Sequence, residues 1–338
     1  MTATAVIPHW NRCELLDTLL RSIGNQTLPF DEVIVADNGS RDGSVQFAAQ
    51  HGARVIELGR NAGFAAAVNR GINAARSEWI AILNNDVRLD AAWLATLTEA
   101  AERERADFAT GKILHTGQTS SSDQPPVIDG AFDEVSRGAC ACRCGAGKPD
   151  SPLWNQPRGI RIAPMTAALF RRSLFTEIGP LDERFISYME DTDFGLRCAL
   201  AGRAGIYVPS AVAHHRGSAT LGAWSYDTVR NISRNQLLLC AKHFRGQPRG
   251  PIVAGQLLWG LLAIRHARGV AYLAGKISGW RAARMVQWRI AEALDTDREG
   301  DQEKIRAIVE ASEREIFEIQ QQTGFDTYWR AYFWLLRR

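Results

Sequence analysis

Short apolar runs alternate with segments of helical spacing through the first hundred residues, and this alternation restricts the chain to an α/β architecture. Thr4 to Pro8, Glu32 to Ala36, Arg54 to Leu58 and Trp79 to Leu83 read as strands. Between them, Asn11 to Ile23 places Leu15, Leu16, Leu19 and Leu20 on one helical face, and Ala65 to Ala75 and Asp90 to Arg103 read as further helices. Val33-Ile34-Val35-Ala36 is apolar without interruption, as expected of a parallel strand covered on both faces.

Ligands of open parallel sheets bind beyond the carboxyl ends of the strands, so the polar residues ending each run are the first candidates. The first run leads into Pro8-His9-Trp10-Asn11, which lacks the glycines of a dinucleotide-binding turn and argues against a dehydrogenase. The second ends at Asp37-Asn38-Gly39-Ser40, where Asp37 either meets a nucleotide base or ribose or forms an Asx turn. After the third, Asn61 can cap the following helix, and Gly63 would permit close backbone approach to a phosphate. The fourth delivers Asn84-Asn85-Asp86, with Asp86 either a metal ligand or a turn-former. A second acidic station, Glu190-Asp191-Thr192-Asp193, opens a helix continuing through Leu200, and His214-His215 follow a strand at Ala204 to Val208. Mutual repulsion among the three acids raises a carboxyl pKa, whereas the helix N-terminus opposes that shift. Together these segments read as one metal-assisted site.

The middle of the chain, Asp107 to Pro164, is glycine-rich and polar, with short strands expected at Phe108 to Leu114 and Arg161 to Pro164. Cys140, Cys142 and Cys144 are either packed thiols or an atypical zinc cluster, whose C-x-C spacing departs from the usual C-x₂₋₄-C. Ser225 to His243 and Glu303 to Gln322 read as helices, the second with Ile305, Ile308, Ile316 and Ile319 inward. With 338 residues and 46% hydrophobic content, the expectation is one enlarged domain plus an appendage. A formal net charge of +3 makes no case for nucleic acid.

The charge is unevenly placed. No Asp or Glu occurs from Lys242 to Ile290, whereas Lys242, Arg245, Arg249, Arg265, Arg268, Lys276, Arg281, Arg284 and Arg289 all fall there, interleaved with large apolar residues. This segment is either a membrane-interface surface or a packing surface for the rest of the chain or a second subunit. The tail from Tyr328 to Arg338 is a further candidate contact of either kind. Ile252 to Ile264 falls short of the roughly 20 apolar residues needed to cross a bilayer. No basic region leads into an apolar core near the N-terminus, so a cytoplasmic location, at the inner face of the plasma membrane, is expected.

Val6-Ile7-Pro8 with Asn11, Asp37 to Ser40, Asn61 to Phe64, Asn69-Arg70-Gly71 and Leu83 to Asp86 together resemble the family 2 glycosyltransferases of GT-A fold, rhamnosyltransferase-like branch. Phe170-Arg171-Arg172, Ile178 to Glu183, Tyr188 to Asp193, Arg197, Gly202, Pro209 and His214 continue the resemblance in order. It implies a Rossmann-like, mostly parallel sheet with flanking helices over residues 1–245, divided into a nucleotide-sugar half (1–106) and an acceptor half (107–245), followed by a helical region at 246–338. It further implies inverting transfer of a sugar, rhamnose as first choice, from a dTDP-, UDP- or GDP-linked donor to a lipid-linked or polysaccharide acceptor. Pro8, Asn11, Asp37, Asn61, Gly63, Asn69, Asn84 and Asn85 fall at donor-binding positions. Asp86 matches the last acid of a D-x-D motif whose first acid is here Asn84, and holds Mg²⁺ or Mn²⁺ with a histidine. His214 matches the histidine position best and His215 next. Asp191 matches the catalytic base, beside Glu190. Arg230, Arg234 and Asp193 are phosphate or acceptor candidates, and a homodimer is compatible with the tail. Two alternatives are a nucleotidyltransferase, against which Pro8 to Arg12 supplies no glycine-rich loop, and a non-catalytic sugar-binding module, which the uncharged Asn84 permits.

Overall fold

The computed structural model describes residues 1–116, 125–217, 224–292 and 298–337, with the backbone alone at 286–292 and 298–299. Arg289 and Arg338 of the basic segments therefore lie outside the described side chains. The chain opens with β1 (Ala3–His9), α1 (Cys13–Gly24), β2 (Glu32–Asp37), α2 (Ser44–Gln50), β3 (Arg54–Glu57), α3 (Phe64–Ala74) and β4 (Trp79–Leu83). Next come β5 (Val87–Leu89), α4 (Trp93–Arg103), β6 (Phe108–His115), β7 (Ile128–Gly130), β8 (Asp133–Val135), β9 (Ala141–Arg143), β10 (Arg158–Ile160), β11 (Ala167–Arg171) and α5 (Ser173–Glu177). The remainder is α6 (Glu190–Leu200), β12 (Gly205–His215), α7 (Tyr226–His243), α8 (Arg249–Arg265), α9 (Gly269–Glu292), α10 (Arg298–Thr323) and α11 (Thr327–Leu335).

The central sheet has the order β10-β12-β6-β11-β4-β1-β2-β3, with β5 added to β12 and β7 to β6. Strands β3, β2, β1 and β4 are mutually parallel, and β11 runs antiparallel between β4 and β6. Alternate residues of these strands serve two cores. Val6, Ile34, Ile80, Ile82 and Phe170 pack with Val68 and Ile72 of α3 on one face. Ala5, Ile7, Val35, Ala81 and Leu169 pack with Leu16 and Leu19 of α1 and Trp93 and Leu97 of α4 on the other. Each fully buried Leu, Ile or Val contributes about 1.5–3 kcal/mol, and it is this two-sided burial that makes the strands continuous apolar runs.

Three expectations are corrected. The strand near residue 160 is Arg158–Ile160, an edge strand on β12, because Arg161 turns away to pair with Glu134 and Glu315 and only Ile162 bridges onward, to Asp133. Strand β12 continues past Val208 to His215 through an irregularity between Val208 and Val212 in its pairing with β6. The aromatic tail is mostly core: Trp329, Tyr332 and Phe333 are buried with Ile316 and Ile319, and it is Trp334 that stays outside. The described residues after 246 fall almost wholly in helices α8 to α11, and these are tied to the sheet domain. Buried Glu313 accepts from the Arg137 guanidinium at 2.7 and 2.9 Å and from the Tyr332 hydroxyl at 2.8 Å.

Candidate active site

Parallel pairing sets Pro8 beside Ala36 and His9 beside Asp37, and Val6 beside Ile82, so the carboxyl ends of β1, β2 and β4 come together. Above them lies a cavity of about 600 Å³. Pro8, Asn61, Asn84, Asn85, Asp86, Glu190, Asp191 and His215 all line it, so the two acidic stations do share one site.

The histidine at Asp86 is His215. Strand β5 follows Asp86 directly and pairs antiparallel with the end of β12, setting His215 opposite Val87. His215 Nε2 then lies 3.1 Å from Asp86 Oδ1, while its Nδ1 lies 2.9 Å from Asp129 Oδ2. His214 points to the opposite side of the strand and meets Asp90 at 3.0 Å, so the preference for His214 is reversed by the strand's alternation. Burial disfavours the charged imidazole of His215, but the hydrogen bonds to Asp129 and Asp86 outweigh it and raise the pKa to about 9.

On the opposite wall, the Glu183–Phe185 turn leads through Ile186, Tyr188 and Met189, all at positive φ, into α6. Ile186 has φ 64° and ψ −69°, and the Ser187 amide donates back to the Phe185 carbonyl at 2.7 Å. That is the rarer hand of γ-turn, strained for a β-branched residue. Asn235 holds it by donating to the carbonyls of Phe185, Ser187 and Tyr188. Gly63 makes room for it: a Cβ there would fall 2.6 Å from the Ile186 carbonyl oxygen. The first amides of α3 are also engaged by this loop, Ala65 by Ile186 O and Phe64 by the Ser187 hydroxyl, so Gly63 serves loop packing and leaves no open phosphate cradle.

Burial raises the carboxyl pKa values of Glu190 and Asp191, Glu190 well above the usual range with help from the Asp191 charge. Arg143 pulls Asp191 back, as does the Thr192 amide donating to its Oδ1 at 2.7 Å. Asp133, also on the cavity wall, is pushed up to about 8 by burial, against the pull of Arg143. Nothing in the sequence marks Arg143, Asp133 or Asp129 as site residues, and His9 and Tyr188 stand out there only as members of longer motifs. Arg143 and Asp133 sit on the three-residue strands β9 and β8, too short to carry a periodic signal.

Several expected site residues have other work. Asp193 is fully buried, with Lys242 at 2.6 Å and His243 at 2.8 Å from Oδ1 and Arg197 at 3.1 Å from Oδ2. Asn69 exchanges hydrogen bonds with the Leu181 backbone at 2.9 and 3.0 Å, and so ties down the 178–183 loop. Asn11 accepts from the Arg41 amide and its own amide donates to Ser40, tying two loops together. Arg234 donates to the Arg184 carbonyl, and α9 lies directly on the backbone of both Arg230 and Arg234, so neither lines the cavity. Cys140, Cys142 and Cys144 are buried; Cys140 receives Gln236 Nε2 at 3.3 Å, and burial raises its thiol pKa to about 11.

The Asp37 carboxylate accepts from the Gly39 and Ser40 amides through Oδ2, both at 2.9 Å, and its buried Oδ1 has no partner among the described residues. Beside it, His9 Nδ1 lies 3.0 Å from Asn85 Nδ2, which makes Nδ1 the acceptor and leaves the proton on buried Nε2, likewise without a partner. Burial lowers the His9 pKa and keeps the ring neutral.

Asp86 and His215 supply two ligating side chains, and no cluster of three His, Cys, Asp or Glu side chains placed to hold a metal occurs among the described residues. Two protein ligands suit a small hard cation that completes its shell with phosphate oxygens and water.

Residues 4–179 match the sequence profile described as Glycosyl transferase family 2. Over 232 residues the chain is 32% identical to the N-acetylglucosaminyl-diphospho-decaprenol L-rhamnosyltransferase of Mycobacterium tuberculosis, covering 61% of this chain and 73% of that protein. A PGL/p-HBAD biosynthesis glycosyltransferase of Mycobacterium bovis is 28% identical over 200 residues, covering 57% of this chain and 68% of that one. In fold the chain is similar to mannosyltransferase PcManGT from Pyrobaculum calidifontis, solved with GDP-Man and Mn²⁺ (TM-score 0.51, 17% identity, 98% of this chain and 85% of that one). It also resembles GalNAc-T7, solved with UDP, GalNAc and Mn²⁺ (TM-score 0.55, 17% identity, 75% of this chain), although it spans only 53% of that structure.

Proposed function

Because this chain belongs to glycosyl transferase family 2, we propose that it transfers rhamnose, with inversion and with a divalent cation, from a nucleoside diphosphate to a hydroxyl of a lipid-linked or polysaccharide acceptor in cell-surface glycan assembly. The observation that carries this reading is the single cavity in which the Asp86–His215 pair faces Glu190 and Asp191. The Mycobacterium tuberculosis relative, named for L-rhamnose and a diphospho-decaprenol acceptor, supports the sugar and the acceptor class. Residues 1–106 form the donor half and 107–245 the acceptor half of this proposed catalytic unit.

Asp191 takes the acceptor proton, since its carboxylate stands at the cavity wall with one oxygen held by the Thr192 amide. Burial, with the Asp191 charge beside it, disfavours the ionised form of Glu190 and so lessens the repulsion on the acceptor oxygen as it becomes nucleophilic. Asp37 Oδ1 and His9 Nε2 are a buried unpaired acceptor and donor on neighbouring strands, with His9 at the cavity wall; a base that reached them through an imide edge, as in uracil or thymine, or through the ring N–H and carbonyl of guanine, would pair with both. Adenine and cytosine carry a ring acceptor where Asp37 requires a donor. Asp86 and His215 would hold Mg²⁺ or Mn²⁺, which neutralises charge on the departing diphosphate. Two neighbours of this fold solved with Mn²⁺ support that cation class.

A panel of dTDP-, UDP- and GDP-sugars, assayed with Mg²⁺ or Mn²⁺ and a short-chain polyprenyl diphosphate-sugar acceptor, tests the reading. Release of nucleoside diphosphate coupled to a glycosylated acceptor is expected from one donor, dTDP-rhamnose first. Failure of every donor to turn over would leave a binding module. Once a cation displaced the Nε2 proton, the Asp129 contact would keep the remaining proton on Nδ1 and leave Nε2, which is turned to Asp86, free to ligate. Asp129→Asn is therefore expected to weaken Mn²⁺-dependent nucleoside diphosphate binding by about 10–100-fold in calorimetry, with metal-free affinity unchanged. Unaltered Mn²⁺ dependence would dismiss the positioning role.

A further inference from the structure

Helices α8 and α9 are built inside out. Toward the protein, α8 presents Gly255, Gln256, Gly260 and Ala263, and α9 presents Ala271, Gly275 and Gly279, all buried. A Cβ on Gly275 would fall 2.4 Å from the Arg230 carbonyl oxygen, and one on Gly279 2.6 Å from that of Arg234, so α9 sits against the backbone of α7. Leu258, Trp259 and Leu262 also turn inward, but a second set of large apolar side chains faces away. Val253, Leu257, Leu261 and Ile264 recur at helical spacing on α8, each 55–62% exposed. Leu273, Ile277 and Trp280 do the same on α9, each 56–59% exposed. An ordinary surface helix of a soluble protein distributes these classes the other way round. The two helices pack together through Gly260 against the Tyr272 ring, and each carries its apolar row on its exposed side.

The segment that carries this surface is positive throughout. No carboxylate occurs from Lys242 to Ile290, and Arg249, Arg265, Arg281 and Arg284 are exposed, the last with its guanidinium 4.4 Å from the Trp280 ring. Lys242 and Lys276 do not contribute, being bonded inside the protein. A two-fold dimer through this face would set like-charged segments against each other, whereas an anionic bilayer complements both the charge and the apolar rows. Among the described residues no helix is long and apolar enough to cross a membrane, so the surface could enter only the interface. On the inner side of the same helix, Trp259 and Leu262 line the catalytic cavity.

We propose that the outward face of the α8–α9 hairpin docks on anionic lipid, with its apolar rows in the interface and its arginines on the headgroups. The docking stands on this face alone; that it brings the cavity to a membrane-held acceptor rests on the function proposed above.

Co-sedimentation with vesicles of phosphatidylglycerol and phosphatidylcholine, against vesicles of phosphatidylcholine alone, tests it on the full chain. Strong binding to the anionic vesicles and weak binding to the neutral ones is expected. Combined Leu257→Gln, Leu261→Gln, Leu273→Gln and Ile277→Gln should lower the vesicle partition coefficient by at least ~10-fold. Combined Arg265→Gln, Arg281→Gln and Arg284→Gln should lower it by about fivefold per arginine at low salt. Circular dichroism and transfer to a soluble, lipid-free acceptor should be unchanged in both variants. Absence of binding to anionic vesicles, or full binding by the apolar variant, overturns the proposal. So does a solution dimer that the same substitutions dissociate, because the face then belongs to a second copy. Vesicle binding in a chain that transfers no sugar would refute the proposed function and leave the docking intact.

Discussion

Asp191→Asn is expected to lower turnover by about 10³-fold while leaving nucleoside diphosphate affinity within about twofold. The amide keeps the shape of the carboxylate and can still accept from the Thr192 amide, which now donates to Asp191 Oδ1 at 2.7 Å, so the loop and the cavity should survive. What is lost is the proton acceptor. Burial raises the Asp191 pKa and Arg143 limits the rise, so the wild-type rate should fall with acidification at a pH above the usual value of about 3.9 for an aspartate. That acid limb should vanish in the variant. Steady-state rates across pH, paired with calorimetric titration of nucleoside diphosphate, measure both effects. Retained turnover would assign the base elsewhere, with Asp133, on the same wall and pushed up to about 8, the first group to test.

Asp193→Asn, two residues on, should act almost wholly on stability. Its carboxylate is fully buried between Lys242, His243 and Arg197, and Arg197 also donates to the carbonyls of Ile178, Gly179 and Pro180. Removing one charge from such a cluster strands the others, at a cost of about 3–5 kcal/mol. For a chain of this size that corresponds to a fall of about 5 °C in Tm. Burial alone would raise the Asp193 pKa, but the hydrogen bond to His243 and the nearby Lys242 hold it far below the usual carboxylate range. A depressed folded-state pKa means the contribution is fully present above the unfolded value near ~3.9 and is lost as pH falls toward the folded value. The gap between wild type and variant should therefore be constant from neutral pH down to about pH 5 and narrow below about pH 4. A variant equally stable at pH 7 would show that the cluster contributes nothing net.

The contrast between these neighbours shows where the sequence was legible. Strands β1, β2 and β4 could be read to within two residues, because burial on both faces leaves an uninterrupted apolar run, and the carboxyl-end rule then led to Pro8, Asn84, Asn85 and Asp86. Motif membership did not separate residues that face the cavity from residues that build its walls. Asn69, Asp193 and Gly63 belong to the second group, and what distinguishes them is the 178–188 loop, whose path depends on contacts more than a hundred residues apart in sequence. The choice between His214 and His215 turned on strand parity, which the irregularity at 209–211 resets and which no local propensity encodes. Arg143 and Asp129 lie in a stretch whose strands are only three residues long, where periodicity has nothing to act on. In α8 and α9 the basic and apolar composition was visible, whereas the side each class occupies follows from glycines packed against α7.

The division of labour between the two acidic stations is tested most directly by titrating the matching nucleoside diphosphate into wild type and Asp86→Ala, each with Mn²⁺ and with chelator. Wild-type affinity is predicted to rise at least ~10-fold with Mn²⁺, and the variant to bind with the chelator-level affinity under both conditions. If Mn²⁺ strengthens binding to Asp86→Ala as much as to wild type, the cation is held elsewhere and the Asp86–His215 pair is not the donor station.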